Sequence, residues 1–353
     1  MILYIHLSKR ILSYTQDDEG VIVNCSDNSS YCGEILVGAD GAYSAIRQQL
    51  FKDLKKEGKL PASDDVPLPY SCVCLVGQTC TLDPEEFPYL KQPLSQAHFI
   101  LGDYDYTWMA FTSKKNTYCW MVIHFLNKET SKQNDSFRNS EWGPEAAEAM
   151  CKEVRHFKLP SGEEGKSLSI GDLIDKSPKD LISKVMLEEK VFDTWFGGRA
   201  VLLGDACHKM NPTGAAGALT AMHDAVALAN WINTLQRPTM SDLDRVFKEY
   251  HTERHPVAKE AFDTSKMFTK NIGKNFSAVF TRFLMKRVPA WLWRRLQIQM
   301  SAARSQVSFL PLVEDKGEVK PMHQPSLHKT LAILEKQGRA VQHSVGTAGP
   351  ATV

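Results

Sequence analysis

The chain has 353 residues, of which 43% are hydrophobic, and its formal net charge at pH 7 is +1. This length and apolar content predict about two domains with a substantial buried core. The near-neutral charge gives no reason to expect a nucleic acid partner or electrostatic binding to an anionic membrane.

The eight cysteines are spread without the close spacing that metal sites require, so we expect no bound metal. We expect reduced thiols and a cytoplasmic location, because no cleavable signal sequence is recognisable. Phe276–Met300 is basic and aromatic, which leaves peripheral contact with an endomembrane open, although packing of this segment against its own domain is favoured. No obligate protein partner is expected.

The N-terminal segment predicts a β-hairpin and a further strand. Ile11–Tyr14 and Val21–Cys25 are the paired strands, joined by the polar turn Gln16–Gly20, and Tyr31–Val37 is the further strand. The chain then reads Gly38-Ala39-Asp40-Gly41, with Ser44 and Arg47 following, and this leads from the strand into a helix.

The middle of the chain predicts an antiparallel sheet followed by helices. Four runs of β-branched and aromatic residues bounded by turn residues indicate strands: Tyr70–Val76, Ala97–Leu101, Tyr106–Thr112 and Tyr118–Phe125. Glu141–His156 predicts a helix, and Ile170–Leu187 predicts a second helical stretch interrupted at Pro178. Aromatic residues of the strands form either the wall of an apolar cavity or, as we favour, the ordinary core of the sheet: Phe99, Tyr106, Trp108, Tyr118 and Trp120.

A second strand, acidic turn and helix follow. Ala200–Leu203 is apolar enough for a buried strand, and the carboxylate of Gly204-Asp205 can accept hydrogen bonds from sugar or polyol hydroxyls. Pro212, Gly214 and Gly217 then let the backbone approach a ligand before an amphipathic helix that extends to Ile232. Taken alone, the segment fits a strand–helix junction that binds nothing equally well.

The C-terminal third predicts further helices. Ser241–Ala258 has amphipathic spacing, and Leu331–Lys336 predicts a short helix before a tail that we expect to be disordered. His251 and His255 lie four residues apart, as metal ligands on a helix do, but no third ligand is evident and a solvated helix face is favoured.

The Asp-Gly and Gly-Asp segments together resemble the motifs of the FAD-dependent aromatic hydroxylase superfamily, the group A flavin monooxygenases. The branch with the strongest resemblance contains fungal secondary-metabolite epoxidases and hydroxylases. Gly38, Asp40, Gly41, Ser44 and Arg47 match the first motif, and the second is matched by Gly204, Asp205, His208, Pro212 and Gly217.

The resemblance implies seven cofactor-binding residues. Asp205 would bind the ribityl chain of FAD, the amides of Gly217 and Ala218 would face the isoalloxazine, and Asp40 would lie near the pyrophosphate. Gly38, Gly204 and Arg47 complete the set. His208 is expected in the shell around the cofactor and not as a catalyst, and no catalytic residue can be assigned.

The chain departs from the family pattern in two places. Ala215 and Ala216 precede Gly217 where the family has Gly-Gln, and Leu219 stands where Asn is frequent, so the contacts of two amide side chains are lost. The family also opens with a strand, a Gly-x-Gly-x-x-Gly turn and a helix. No such pattern occurs here, and the resemblance covers only the family's middle and C-terminal parts.

The resemblance therefore implies a mixed α/β fold, in which an incomplete Rossmann-like FAD-binding domain is interleaved with an antiparallel substrate-binding sheet. The expected organisation has five parts. Residues 1–60 are a remnant of the FAD-binding domain with the Asp-Gly motif, and 61–195 form the substrate-binding sheet. The Gly-Asp segment follows at 196–236, the C-terminal helices at 237–310 and a partly disordered tail at 311–353.

The implied function is monooxygenation of a hydrophobic polyketide, terpenoid or phenolic intermediate, with FAD as cofactor and NAD(P)H as co-substrate. Three hypotheses remain. In the first, the chain is one piece of a flavin monooxygenase. In the second, it is a redox-inactive isomerase, cyclase or binding protein that reuses the substrate pocket. In the third, it is a decayed copy without activity.

Overall fold

The computed structural model describes residues 4–101, 105–131, 144–160, 168–271, 280, 283 and 287–336. Its strands are β1 Ile11–Gln16, β2 Val21–Cys25, β3 Ser30–Gly33, β4 Leu36–Gly38, β5 Pro69–Gln78, β6 Ala97–Leu101, β7 Tyr106–Thr112, β8 Tyr118–Ser131, β9 Lys158–Leu159, β10 Leu168–Ser169, β11 Ser183–Glu188, β12 Lys190–Val191, β13 Phe196–Gly197, β14 Ala200–Leu202 and β15 His208–Lys209. Its α-helices are α1 Ala45–Lys56, α2 Pro144–Val154, α3 Ile170–Asp175, α4 Gly217–Ile232, α5 Met240–Asn271, α6 Ala290–Met300 and α7 Pro325–Lys336. These elements confirm the mixed α/β class.

The chain forms two compact units. The first unit comprises 1–66, 190–266 and 283–353, and the second comprises 67–189 and 267–282. In the first unit, β1, β2 and β3 form an antiparallel sheet, whereas β4 pairs in parallel with β14 and β14 pairs antiparallel with β13. The turn between β1 and β2 is held by Asp17, whose Oδ1 accepts hydrogen bonds from the backbone of Glu19 and Gly20 at 2.8 and 2.9 Å.

A buried arginine holds several segments of the first unit together. Arg199 is 2% exposed. Its guanidinium donates hydrogen bonds to the carbonyl oxygens of Asp17, Asp18, Glu34 and Pro238. A buried cation is tolerable only when its N–H groups are satisfied, and these carbonyls satisfy it.

The second unit is built on the sheet β11-β5-β8-β7-β6, all pairs of which are antiparallel. Successive side chains of β5 point to opposite faces of the sheet, and both faces are buried. Val73 and Leu75 pack in one hydrophobic cluster, and Cys72 and Cys74 pack in another. β6 and β7 have the predicted bounds. Tyr118 and Trp120, 1% and 2% exposed, confirm the interpretation of these two aromatics as sheet core.

Two predictions of secondary structure were wrong. Tyr31–Val37 is not one strand, since β3 pairs with β2 and β4 pairs with β14 in a different sheet. Ile170–Leu187 is α-helical only as far as Asp175. A single 3-10 turn at Lys179–Leu181 follows, and β11 then pairs with β5 at the edge of the large sheet. Partners remote in sequence decide both cases, and Pro178 separates α3 from the later strand.

Three predicted helices have different bounds. α5 continues to Asn271, beyond the predicted end at Ala258, with Pro256 inside it. α7 begins at Pro325, six residues before the prediction. α2 begins at Pro144, and the predicted start at Glu141 lies outside the described residues, as do the tail after Lys336 and most of 276–286.

Candidate functional site

Both acidic motifs emerge from the same edge of one parallel strand pair. In the register of β4 and β14, Gly38 lies opposite Leu202, and each is the last residue of its strand. Asp40 and Asp205 follow within three residues. Ligands of α/β proteins bind outside the carboxyl ends of parallel strands, so the pairing brings the two motifs to the part of the sheet where a ligand is expected.

Gly38 is required for packing. A Cβ at this position would lie 2.7 Å from Leu202 Cδ2 and 3.0 Å from Ile46 Cβ. Both distances are shorter than normal van der Waals contacts, so any side chain would push α1 away from β14. The glycine sets the spacing between helix and strand at this edge.

Asp40 caps the first helix. Its Oδ2 accepts hydrogen bonds from the backbone N–H groups of Ala45 and Ile46 at 2.7 and 3.3 Å. Ser44 Oγ accepts from the Arg47 N–H at 2.9 Å. The amides at the start of α1 are thereby satisfied by side chains of the motif itself. This use of Asp40 was not predicted from the sequence.

Arg47 joins the two motif turns. Its side chain is buried, with the residue 5% exposed, and it donates to the carbonyl oxygens of Ala206 and Ala42 at 2.8 and 2.6 Å. The guanidinium also lies over the Phe192 ring, 4.5 Å from its centroid. Burial lowers the pKa of Arg47, but guanidinium groups titrate so high that the side chain stays charged.

The second turn requires its glycine and exposes its aspartate. Gly204 has φ +60°, and a Cβ there would lie 3.0 Å from Ala221 Cβ on α4. Asp205 is exposed, and within the described part of the chain its carboxylate has no hydrogen-bond partner. The second motif therefore presents a free carboxylate, in contrast to the capped helix of the first.

One buried carboxylate supports this turn. Asp224 on α4 is fully buried, and its Oδ2 accepts from the Gly204 N–H at 3.2 Å and from His208 Nε2. Its Oδ1 accepts from Arg254 Nε at 2.8 Å. Burial acts to raise the pKa of Asp224, but the hydrogen bond from His208 and the charge of Arg254 outweigh it and lower the pKa. Asp224 is therefore ionised, and it connects the turn, α4 and α5.

Sequence reasoning missed Asp224 and Arg254. The available signal was an aspartate at the spacing of the apolar face of α4, where Thr220, Ala227 and Leu228 are buried. A charge on such a face needs a partner. His208 is also fully buried and bonded to Asp224, while its expected place in the shell around the cofactor stays a prediction.

The start of α4 is open. Ala216 is its N-cap and provides no side-chain hydrogen bond, and the first turn contains no acidic residue. A Cβ at Gly217 would meet nothing within 4 Å. The N–H groups of Gly217 and Ala218 belong to the first turn, where amides have no partner within the helix. Ala215 adopts a left-handed φ of +49° without being glycine.

These features suit an electron-rich, polyhydroxylated ligand such as FAD. The exposed Asp205 carboxylate is an acceptor for hydroxyl groups, and the uncapped start of α4 supplies donors with the positive end of a helix dipole. The open space at Gly217 admits a ligand to those donors. The residues present therefore fit the cofactor that the motifs imply.

The two histidines of α5 do not lie on a solvated face, so that interpretation was wrong. The rings of His251 and His255 pack against Trp195, with centroid distances of 5.4 and 5.6 Å. Burial, followed by the charge of His255, lowers the pKa of His251. In the described ranges no group of three or more potential ligands is placed to hold a metal ion.

The basic and aromatic segment is only partly described. α6 carries Arg294, which pairs with Glu318 at 3.3 Å, and Arg287 lies over the Phe283 ring. No described helix combines the length and the apolar character needed to cross a bilayer.

Residues 166–265 match the family model described as "FAD binding domain". Among curated proteins, the FAD-dependent monooxygenase ptmM of Penicillium ochrochloron is 27% identical over 290 residues, which cover 79% of this chain and 64% of that protein. The FAD-dependent monooxygenase penM of Penicillium crustosum is 26% identical, with 79% and 56% covered. The chain thus corresponds to less than two thirds of either relative.

Solved structures share the fold. Klebsiella pneumoniae HpxO in complex with FAD and uric acid has a TM-score of 0.55 and 19% identity, with 80% of this chain and 62% of that chain covered. A salicylate hydroxylase–substrate complex has a TM-score of 0.51 and 21% identity, with 81% and 68% covered. The chain is thus similar to FAD-dependent aromatic hydroxylases in sequence and fold, with a match to an FAD-binding domain over residues 166–265. Its sequence relatives are fungal FAD-dependent monooxygenases, and they do not favour the redox-inactive alternative.

Proposed function

We propose that this chain binds FAD at the edge where β4 and β14 end and takes part in NAD(P)H-dependent monooxygenation of a hydrophobic small molecule. The observation that carries the proposal is the exposed Asp205 carboxylate, held by Gly204 in a turn against α4. A carboxylate without a protein partner, beside an uncapped helix start, suits a ligand with hydroxyl groups and electron-rich oxygens.

Different residues of the site would bind different parts of the cofactor. Asp205 would accept hydrogen bonds from the ribityl hydroxyls, and the amides of Gly217 and Ala218 would donate to the isoalloxazine. Gly38 and Gly204 let α1 and α4 pack closely against the two motif turns, while Asp40 and Arg47 hold the turns in place. When bound, FAD supplies the electron transfer between NAD(P)H and oxygen, and the protein supplies orientation and exclusion of water.

For the substrate we propose a polyketide, terpenoid or phenolic intermediate of secondary metabolism. Support comes from the fungal monooxygenases that the chain resembles and from the structural likeness to a salicylate hydroxylase. We also propose a cytoplasmic location, on the ground that all eight cysteines are free thiols. Fractionation of cells that express the tagged protein tests the location, and recovery in the secreted fraction would contradict it.

The test of the proposed function is reconstitution. Purified protein is incubated with FAD and desalted, and its visible flavin absorbance is recorded before NADPH and oxygen consumption are measured together. We expect yellow protein whose NADPH oxidation depends on oxygen. Asp205→Ala should lose the flavin, whereas Asp244→Ala, which removes an exposed aspartate of α5, should retain it.

Two results would overturn the proposal. One is equal flavin retention by the Asp205→Ala and wild-type proteins. The other is colourless wild-type protein that still converts a candidate intermediate without oxygen, which would restore the redox-inactive alternative.

A further inference from the structure

The second unit contains a cavity whose lining shares no residue with the candidate flavin site. It has a volume of about 630 Å³ and is formed by one face of α2, the end of α3 and the segment that leads from α3 into β11. Its described lining residues all fall between 147 and 184, within the second unit. The volume is in the range of cavities that hold small organic ligands.

Much of the wall is apolar and adjoins the core of the sheet. Ala147 and Cys151 line the cavity one turn apart on α2, and both belong to the hydrophobic cluster on that face of the sheet. Ile174 and Ile182 also line it and pack against the same cluster. The cavity therefore offers an apolar surface that a ligand can cover, with the gain that follows from its removal from water.

The charged residues of the lining nearly balance. Three are acidic and two are basic, namely Glu148, Asp175, Asp180, Lys179 and Lys184. Glu148 pairs with Lys152 at 3.0 Å. Asp175 accepts a hydrogen bond from Arg155 Nη1 at 2.9 Å. Because no sign of charge dominates, little would offset the desolvation of a charged ligand, and the lining favours an uncharged one.

Ser177 supplies a polar anchor in the lining. Its hydroxyl donates a hydrogen bond to the Leu173 carbonyl oxygen at 2.7 Å, and its Oγ accepts one from Trp120 Nε1 at 3.0 Å. A serine hydroxyl has one donor and two acceptor positions, and no second donor bonds this oxygen in the part of the chain that the structure describes. The remaining acceptor position can take a hydrogen bond from a hydroxyl group of a ligand.

We propose that this cavity is a second small-molecule site, which binds an uncharged, largely apolar compound that carries a hydroxyl group. The apolar wall supplies the contact area, and Ser177 Oγ orients the hydroxyl group. The proposal goes beyond the proposed function and does not depend on it, because none of the residues assigned to FAD lines the cavity.

A ligand series tests the chemistry of the site on the full chain. Calorimetric titration compares 2-naphthol with 2-methoxynaphthalene, which cannot donate a hydrogen bond, and with the anion 2-naphthoate. We expect 2-methoxynaphthalene to bind about five- to tenfold more weakly than 2-naphthol, as the loss of one hydrogen bond predicts. The anion should bind more weakly still.

The thiol of Cys151 reports where the probe binds. Cys151 lies in the wall of the cavity, so a bound ligand should shield it from N-ethylmaleimide. The rate of modification is read for each cysteine by peptide mass spectrometry, with the exposed Cys80 of the same unit as the internal reference. Saturating 2-naphthol should slow the modification of Cys151 and leave that of Cys80 unchanged.

Two variants fill the cavity, and a third is their matched control. Ile182→Trp and Ile174→Trp each place a larger side chain in the wall. Ile100→Trp makes the same change at another partly buried isoleucine that packs against the same cluster but does not line the cavity. The first two should weaken 2-naphthol binding at least about tenfold, whereas Ile100→Trp should bind it as the wild-type protein does.

Three results would overturn the proposal. The first is equal 2-naphthol affinity in the wild-type protein and in both filled variants. The second is binding of 2-naphthoate as tight as that of 2-naphthol, and the third is an equal affinity for 2-methoxynaphthalene. None of these measurements involves flavin, so their failure leaves the proposed function standing, and loss of flavin binding by Asp205→Ala leaves this proposal standing.

Discussion

The two acidic turns at the edge of β4 and β14 have similar sequences and different roles. Asp40 is bonded to the start of α1, and its contribution is to the helix. Asp205 makes no hydrogen bond in the described chain, and its turn is instead held from behind by Asp224 and Arg47. The comparison teaches that a carboxylate becomes available to a ligand when other residues take over the support of its turn.

The largest effect is expected from removing the support of the second turn. Asp224→Ala would leave Arg254 buried without its carboxylate and the Gly204 N–H without its acceptor. Loss of one partner of a buried ion pair costs about 3–5 kcal/mol, and we expect a loss of this size in the free energy of unfolding. Urea denaturation measures it, with Asp244→Ala as the control. A change below about 1 kcal/mol would show that the turn does not depend on Asp224.

Arg47 should have the next largest effect, because it is shared by both turns. Arg47→Ala removes hydrogen bonds to Ala42 and Ala206 and the contact with Phe192. We expect a loss of about 1.5–3 kcal/mol in unfolding free energy, the range for hydrogen bonds to a charged group. Arg47→Lys should restore only part of it, since an ammonium lacks the fork of the guanidinium. Full rescue by lysine would contradict the bridging role.

A smaller effect is expected at the first turn. Asp40→Ala removes a cap of α1 and should cost about 1 kcal/mol, whereas Asp40→Asn keeps an acceptor oxygen and should cost less. Thermal unfolding of the two variants measures the difference. Equal stability of Asp40→Ala and wild type would mean that Asp40 is as free as Asp205.

The smallest expected effect is on the pH dependence of the free energy of unfolding, and it tests the contribution of His223. Burial, followed by the charge of Arg254, lowers the pKa of His223 on α4. The folded pKa lies below the unfolded value, so the contribution of neutral His223 is present above pH 6.5 and is lost as the pH falls through the folded pKa. Unfolding free energies measured down to pH 5 should fall less steeply in His223→Gln than in wild type. Identical slopes would exclude a contribution of His223.

The sequence predicted more of the fold where local pattern decides structure. Runs of β-branched and aromatic residues bounded by turn residues predicted the bounds of β6 and β7, and the Asp-Gly and Gly-Asp motifs could be found by inspection. The sequence could not show that β4 lies in a different sheet from β3 and pairs with β14, or that β11 is a strand. Both depend on pairing partners more than 100 residues away.

The candidate site likewise contains residues that the sequence could predict and residues that it could not. Asp205 is predictable because its turn has a recognisable local form. Asp224 and Arg254 are not, since the contact between them joins two helices and the contact from Asp224 to Gly204 joins a helix to a turn. The position of Asp40 before Ser44 and the helix fits a capping role, but the same aspartate also fits a cofactor-binding motif, so the sequence alone does not decide between the two roles.

The most direct test of the central claim is the FAD affinity of Asp205→Ala, measured by fluorescence titration together with its unfolding free energy. If Asp205 is held free for the cofactor, the variant should keep the stability of the wild-type protein within about 0.5 kcal/mol and lose FAD binding by at least about tenfold. Unchanged FAD affinity, or a stability loss as large as that of Asp224→Ala, would contradict the account.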